Sequence, residues 1–170
     1  MRIAPTTNKE FPVWMSDIFD LPDALSMMEQ VGALTRTEEE AESIISEIKA
    51  ELNSFSAPKT RKSALYLIWN NPYMAAAKNT YIDRMLDLCG FENVLDSERY
   101  PELTKEAIEE LSPSVVLLSS EPFPFKEKHK QEFKQLLPNS DVKIVDGEMF
   151  SWYGSRLKYA FRYFDSILAV

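Results

Sequence analysis

Three short runs of apolar residues alternate with helical patterns along the second two thirds of the chain, and this alternation limits the fold more than any other feature. The runs cover residues 64–69, 115–118 and 142–145, with a possible short fourth strand at 93–95. Continuous apolar runs are expected of strands that are covered on both faces. Strands alternating with helices form βαβ units, so we predict an α/β fold with a Rossmann-like parallel sheet of about four strands flanked by helices.

The helical patterns between and after these runs carry apolar residues at the spacing of one helix face. They cover residues 80–89, 104–113, 126–137 and 155–168. Gly90 directly follows the first of them and is suited to the left-handed conformation that ends many helices.

Two further helices are predicted before the first strand. Asp20 and Asp23 have the spacing of a capping box, and Gly32 suits the end of the helix that they begin. Thr37 begins a second helix, which ends before Pro58 and carries its apolar residues on one face. Its length is about 27 Å at 1.5 Å per residue. A helix this long and one-sided is expected to lie along an apolar surface.

The composition excludes several classes of site. A single cysteine, Cys89, excludes a disulfide framework, and a single histidine, His129, excludes any metal site built on two histidines. Only four glycines are present, and none forms a P-loop, a GxGxxG turn or a nucleophile elbow. With 27 acidic against 19 basic residues and a net charge of -8, we expect no nucleic-acid partner.

The predicted loops at the carboxyl ends of the strands are rich in aromatic residues. In an open α/β sheet, this edge is where ligands bind. The aromatic residues there are Trp69, Tyr73, Tyr100, Phe123, Phe125, Phe150, Trp152 and Tyr153. Such a rim suits a large flat apolar ligand or a partner surface, although any one of these side chains can instead seal the core beneath the loops.

Catalytic groups are scarce on the same rim. Cys89 falls on the inward stripe of a helix, and His129 lies in a basic run that we interpret as a solvated helix face. Glu121, Asp146 and Glu148 are the remaining acid–base or metal-ligand candidates, but carboxylates in loops more often cap helices or stay solvated. We therefore predict no enzyme, no catalytic residues and no metal site.

Two alternatives stay open at this point. The first is a carboxylate- or metal-dependent enzyme of α/β fold that uses the rim carboxylates. The second is a protein–protein interaction module that grips another chain through Trp152 and Tyr153.

Three stretches carry a family resemblance: LxxCGFENV at 86–94, YPELTxE at 100–106 and LxPxVVL at 111–117. They resemble the C-terminal lobe of class III substrate-binding proteins, the helical-backbone metal receptors of bacterial ABC importers for cobalamin, siderophores and haem. Segments 119–125 and 146–156 look like a cobalamin-receptor-like subgroup. The helix from Thr37 to Phe55 is similar to the long backbone helix that joins the two lobes of these receptors. The resemblance covers about residue 10 to the C-terminus.

The resemblance implies a non-catalytic receptor that captures a corrinoid, haem or ferric siderophore and delivers it to the transmembrane subunits of an ABC permease. No intrinsic cofactor is implied. By position, the ligand-binding residues are Tyr73, Met74, Tyr100, Glu148, Met149 and Trp152. Glu106 matches the glutamate that docks this lobe onto basic residues of the permease. A carboxylate early in a helix is also favoured by the helix dipole, and both roles can hold together.

The chain departs from the family in having almost no N-terminal lobe before the backbone helix. We expect residues 1–20 to be a remnant of that lobe, with 11–18 similar to its last strand. We expect 21–57 to be a helical hairpin that includes the backbone helix, and 58–170 to be the C-terminal lobe. A piece of a longer protein, a wrong start or a true half receptor would each give this pattern.

Half of a cleft would leave the aromatic rim and the apolar face of the backbone helix exposed. We therefore expect either a homodimer through these surfaces or poor solubility. The resemblance implies an extracytoplasmic, periplasmic location. The first ten residues lack the apolar region of a secretory signal, and no apolar run is long enough for a membrane span.

Overall fold

The computed structural model describes residues 13–169, which form seven helices and six strands. In chain order they are α1 (Leu21–Thr35), α2 (Glu38–Ser54), β1 (Lys62–Asn70), β2 (Tyr73–Ala75), α3 (Tyr81–Cys89), β3 (Phe91–Asn93), β4 (Glu102–Leu103), α4 (Lys105–Leu111), β5 (Val115–Ser119), α5 (Glu127–Leu136), β6 (Asp141–Val145), α6 (Glu148–Ser151) and α7 (Leu157–Leu168).

The sheet is built on four parallel strands, as the apolar runs predict, and the order of these strands is β3-β1-β5-β6. β3 pairs with the start of β1, and the antiparallel strand β2 pairs with the end of β1 on the same edge. β4 pairs in turn with β2. These two antiparallel strands were not predicted, because two or three residues are too few to show an alternating pattern.

Helices cover both faces of the sheet. Tyr66 and Leu117 belong to a buried cluster that includes residues of α1, α2, α3, α6 and α7. Leu67 and Leu118 belong to a second cluster that includes residues of α4 and α5. Neighbouring residues of β1 and β5 therefore point to opposite covered faces, as in a doubly covered α/β sheet. This confirms the predicted fold class.

The apolar face of α2 is covered by the rest of the chain. Ile45 and Ile48 are buried in the first cluster. Phe55, at the end of the helix, has its ring centroid 5.8 Å from that of Phe161 and 6.2 Å from that of Phe164. The expectation that this face is exposed and available for a homodimer is wrong, because α1 and α7 enclose it.

Gly32 does not end the first helix, contrary to the sequence-based expectation. α1 continues to Thr35, and Arg36 takes the left-handed capping conformation with φ 60°. Gly32 is a buried residue within α1, and a Cβ atom at this position would be 2.7 Å from the Cβ of Ala41 on α2. The glycine is therefore needed for the close approach of two helices.

The segment before α1 is irregular over residues 13–20. The strand expected at 11–18 is not formed in its described part, 13–18, and residues 11 and 12 lie outside the described residues. The boundary expected between a helical hairpin and an α/β lobe stays a prediction. Within 13–169, none of the helices is long and apolar enough to cross a membrane.

Replacing Gly32 by alanine should lower the free energy of unfolding, because the new methyl group overpacks the α1–α2 contact at a cost of about 1–3 kcal/mol. Alanine normally gains roughly 1 kcal/mol over glycine in a helix, so the expected net loss is up to about 2 kcal/mol. Urea unfolding measures the difference. Gly154→Ala is the matched control, since a Cβ there meets nothing within 4 Å. A Gly32→Ala variant as stable as the wild type would contradict the close-approach argument.

Candidate functional site

The loops after β5 and β6 lie against each other at the carboxyl edge of the sheet. Ser120 N donates to Val145 O at 2.9 Å, and Gly147 N donates to Ser120 Oγ at 3.0 Å. A Cβ atom at Gly147 would clash with Ser119 Oγ and lie 2.6 Å from Glu121 Cγ. Only glycine therefore allows these two loops to approach so closely.

A buried hydrogen-bonded pair supports the loop after β5. Tyr66 OH donates to Ser119 Oγ at 3.1 Å, and Ser119 Oγ donates to the carbonyl of Glu121 at 2.6 Å. Tyr66 and Ser119 are at most 1% exposed. Burial raises the pKa of Tyr66, so its hydroxyl stays a hydrogen-bond donor. The sequence offered no signal for this role of Ser119.

Trp152 follows α6 and is held on two sides while remaining 49% exposed. Its Nε1 donates to Glu121 Oε1 at 2.8 Å. The guanidinium carbon of Arg156 lies 5.9 Å from the centroid of its ring, within the range of a cation–π contact. Arg156 also pairs with Glu148 and lies 4.0 Å from Asp146 Oδ2.

All three rim carboxylates therefore have structural partners. Glu121 accepts from an indole, and Asp146 and Glu148 face the same arginine. In the part of the chain that the structure describes, no group of three or more His, Cys, Asp and Glu side chains is placed to hold a metal ion.

The predicted aromatic rim divides into a core part and an exposed part. Phe125 and Phe150 are buried and seal the core, while Tyr73 and Phe123 are partly buried. The side chains that stay between 39% and 49% exposed are Trp69, Tyr100, Trp152 and Tyr153.

Two adjacent cavities lie along the exposed part. One, of about 480 Å³, is lined by Met27, Ser151, Trp152, Tyr153 and Gly154. The other, of about 150 Å³, lies against the irregular segment before α1, and its lining includes Tyr100, Ser151 and Tyr153. Tyr153 lines both, so Trp152, Tyr153 and Tyr100 form one surface, which we call the aromatic wall.

The sequence-based site missed two residues of this region. Tyr153 packs edge-on against the ring of Tyr81, with centroids 5.6 Å apart, and it lines both cavities of the aromatic wall. Tyr153 was predicted to lie on the aromatic rim and in the alternative protein–protein surface, but it was not selected as a ligand-binding residue. Met27 belongs to α1, and a methionine next to the apolar stripe of a helix gives no comparable signal.

The structure brings together only some of the residues that the resemblance selected. Tyr100 and Trp152 lie on the aromatic wall. Met149 is buried in the core beneath it, and Glu148 is directed to Arg156. Met74 is partly buried in β2, where it pairs with Trp69 and Glu102.

Tyr73 lies apart from the aromatic wall. Its ring packs edge-on against Phe133 of α5, with centroids 5.5 Å apart. It lines a separate cavity of about 340 Å³ between α4 and α5, together with Lys105 and Glu109. Tyr100 and Trp152 do not line that cavity.

Glu106 is exposed in the first turn of α4. Hydrogen bonds from its own backbone N–H and from the Thr104 side chain lower the pKa of its carboxyl group. Thr104 is the N-cap residue of this helix. The carboxylate thus suits the helix terminus, and it also remains accessible to a partner.

His129 is buried, which corrects the prediction of a solvated position. Its Nδ1 accepts from Lys126 N at 2.9 Å, and its ring packs edge-on against Phe123 and Phe125. The lysines around it suggested solvent, but His129 lies four residues before the buried Phe133 and so shares its helix face.

Cys89 is buried as predicted. Removal from water, with a smaller effect of the nearby Asp165 carboxylate, raises the pKa of its thiol to about 12. A thiol in this state is a poor nucleophile at neutral pH.

Residues 3–142 match the family model described as periplasmic binding protein. The chain therefore belongs to the periplasmic binding protein family, a family of solute-binding proteins. This confirms the family resemblance that its motifs carry. Comparison with curated proteins found no match.

Solved structures share the fold at low identity. A possible iron-binding periplasmic solute-binding protein from Staphylococcus epidermidis ATCC 12228 is 19% identical over 91% of this chain and 65% of its own, with a TM-score of 0.74. The haem-binding protein HutB of Vibrio cholerae is 20% identical over 86% of this chain and 63% of its own, with a TM-score of 0.68. The vitamin B12-binding protein BtuF of Vibrio cholerae is 15% identical over 95% of this chain and 68% of its own, with a TM-score of 0.66. The chain thus spans less than two thirds of the length of the first two.

The Cys89 thiol should resist modification in the folded protein. With a disulfide reagent at pH 8, we expect reaction only after denaturation, because the folded thiol stays protonated. Rapid modification of the native protein would disprove the burial argument.

The raised pKa of Cys89 also predicts how stability depends on pH. The stabilising contribution of the neutral thiol is present below its ordinary pKa of 9.0 and is lost as the pH rises toward 12. Urea unfolding at pH 8 and pH 10 should therefore show a smaller loss of stability between the two pH values for Cys89→Ala than for the wild type.

Proposed function

We propose that this chain is the ligand-capturing lobe of a substrate-binding protein that delivers a metal chelate to a bacterial ABC permease. The observation that carries the proposal is the aromatic wall of Trp152, Tyr153 and Tyr100, which stays exposed beside a cavity of about 480 Å³. Family membership supports the class of protein. The structural likeness to haem-binding HutB and B12-binding BtuF supports the kind of ligand.

The chemistry of the wall favours a flat apolar ring system. Exposed tryptophan and tyrosine rings gain most by stacking against another flat surface, and their polar atoms can stay in water. A corrinoid, a haem or an aromatic ferric siderophore presents such a surface. The proposed contacts are Tyr100 and Trp152, together with Tyr153 and Met27. Contacts of Tyr73, Met74, Glu148 and Met149 with the ligand remain predictions from the resemblance.

The function that we propose is binding without catalysis and without a resident cofactor. The rim carboxylates are engaged by Trp152 and Arg156, and the only histidine and cysteine are buried. By family, we place the protein outside the cytoplasm. The exposed wall also keeps a homodimer through the rim within the proposal, since a second copy would cover the same apolar surface.

The ligand proposal predicts weak, saturable binding at the aromatic wall. Three diamagnetic probes cover the candidate classes: cyanocobalamin, gallium protoporphyrin and a gallium complex of a tris-catechol siderophore. In ¹⁵N NMR titrations, one of them should shift the signals of residues around Trp152 with a Kd of about 1 mM or higher, as expected for contact with one wall. Trp152→Ala and Tyr100→Ala should each raise that Kd by about fivefold or more.

Tyr159→Ala is the matched control for this titration. Tyr159 is 55% exposed but lies on α7, and it lines neither cavity of the wall. Its replacement should change the Kd by less than about twofold. If none of the three probes shifts the signals of the wall, the proposed function is wrong.

Docking to the permease should depend on Glu106 and leave ligand binding unchanged. Glu106→Arg should reverse the attraction between its exposed carboxylate and a basic permease surface, and lower the affinity for the permease by about tenfold or more. Glu110→Arg is the matched control, because Glu110 is also exposed on α4. Co-purification with the cognate permease in nanodiscs measures both. Equal losses for the two variants would indicate a general charge effect and not a docking contact.

A further inference from the structure

We infer that Glu121 is a positioning residue for the ligand-facing indole of Trp152. This inference rests on the proposed function, because Trp152 belongs to the aromatic wall that we propose to contact the ligand. It concerns a residue that the sequence marks only as an acid–base or metal-ligand candidate and to which the family resemblance assigns no role.

The contact between the two side chains is a charge-assisted hydrogen bond. Trp152 Nε1 donates to Glu121 Oε1 at 2.8 Å. An indole has a single N–H donor, so this bond fixes the rotation of the ring about its side-chain axis. A carboxylate acceptor makes the bond stronger than an uncharged acceptor would.

Glu121 is itself held in place by the core. Its backbone N–H donates to Ser119 Oγ at 3.3 Å, and its carbonyl accepts from the same hydroxyl at 2.6 Å. Its Cγ passes over Gly147 so closely that a Cβ there would lie 2.6 Å away. The hydroxyl of Ser151 lies 3.0 Å from the same carboxylate oxygen. Glu121 therefore connects the buried end of β5 to the loop that carries Trp152.

Arg156 completes the support from another side of the ring. Its guanidinium carbon is 5.9 Å from the indole centroid, and it does not line the 480 Å³ cavity that Trp152 lines. Neither Glu121 nor Arg156 lines that cavity, so both supports contact the indole outside it. Trp152 remains 49% exposed toward solvent, yet its orientation is set before any ligand arrives. Such preorganisation lowers the cost of ordering a side chain on binding.

Trp69 provides an internal comparison on the same rim. It is 39% exposed, and its Nε1 donates to the backbone carbonyl of Asn71 at 3.2 Å. Its acceptor is two residues away in the chain, whereas Glu121 reaches Trp152 across 31 residues. Of these two tryptophans, only Trp152 therefore has its orientation set by a residue of another loop, the one that follows β5.

The test is a double-mutant cycle between Glu121 and Trp152, with Kd measured for whichever of the three probes binds the wild type. Glu121→Met keeps the length of the side chain and removes the acceptor, and it should raise the Kd by about three- to tenfold. Glu121→Gln retains an acceptor oxygen and should stay within about twofold of the wild type. In a Trp152→Phe background, which has no N–H donor, Glu121→Met should have no further effect.

A ligand-free measurement separates this inference from the proposed function. The indole N–H signal of Trp152 in ¹⁵N NMR should shift in Glu121→Met, and its exchange with water should accelerate by at least about fivefold. The indole signals of Trp69 and Trp14 should stay unchanged. If no probe binds the wild type but these changes occur, the ligand proposal fails and the positioning role stands.

Two results would overturn the inference. One is an unchanged Trp152 indole signal in Glu121→Met. The other is a loss of probe affinity that is as large in the Trp152→Phe background as in the wild type, because Glu121 would then act without Trp152. Thermal melting of each variant identifies a folding defect, and Glu121→Leu, which also removes the acceptor, takes the place of Glu121→Met in the cycle if Glu121→Met does not fold.

Discussion

The burial of β1 and β5 on both faces is the constraint on which the rest of the structure depends. Leu65, Tyr66, Leu67, Val116, Leu117 and Leu118 are all 0% exposed. A parallel pair of this kind is stable only when helices cover both of its faces, which is why α2 and α7 lie on one side and α4 and α5 on the other. The same parallel arrangement determines where the site lies. Because β1, β5 and β6 are parallel, they end at the same edge of the sheet, and the loops that follow β5 and β6 meet there.

How closely these loops meet is decided by small residues and a buried hydroxyl pair. Gly147 gives Glu121 room to cross the loop after β6, and the Tyr66–Ser119 bond anchors the other loop to the core. The exposed part of the rim is therefore built on a rigid base. These supports keep the aromatic side chains of the wall exposed, where a ligand could contact them. Phe125 and Phe150 of the same rim, in contrast, pack into the core.

The parts that sequence reasoning found and missed differ in the range of the interactions involved. The parallel strands and the helix that ends at Gly90, where φ is 91°, follow from local patterns. The role of Gly32 does not, because it depends on Ala41 of another helix. His129 was misplaced because the charges of its neighbours outweighed its helical phase with Phe133. The aromatic residues of the wall were visible as a set, but nothing local separates Tyr153 from Phe150.

The size of the aromatic wall also limits what one lobe can achieve. Burying a large apolar side chain completely is worth about 1.5–3 kcal/mol, so the three rings of the aromatic wall, which are still 39–49% exposed, offer roughly 2–4 kcal/mol to a ligand that covers them. A Kd of 1 mM corresponds to 4.1 kcal/mol, and association itself has a cost. One wall therefore supports weak binding, and high affinity requires a second surface on the other side of the ligand.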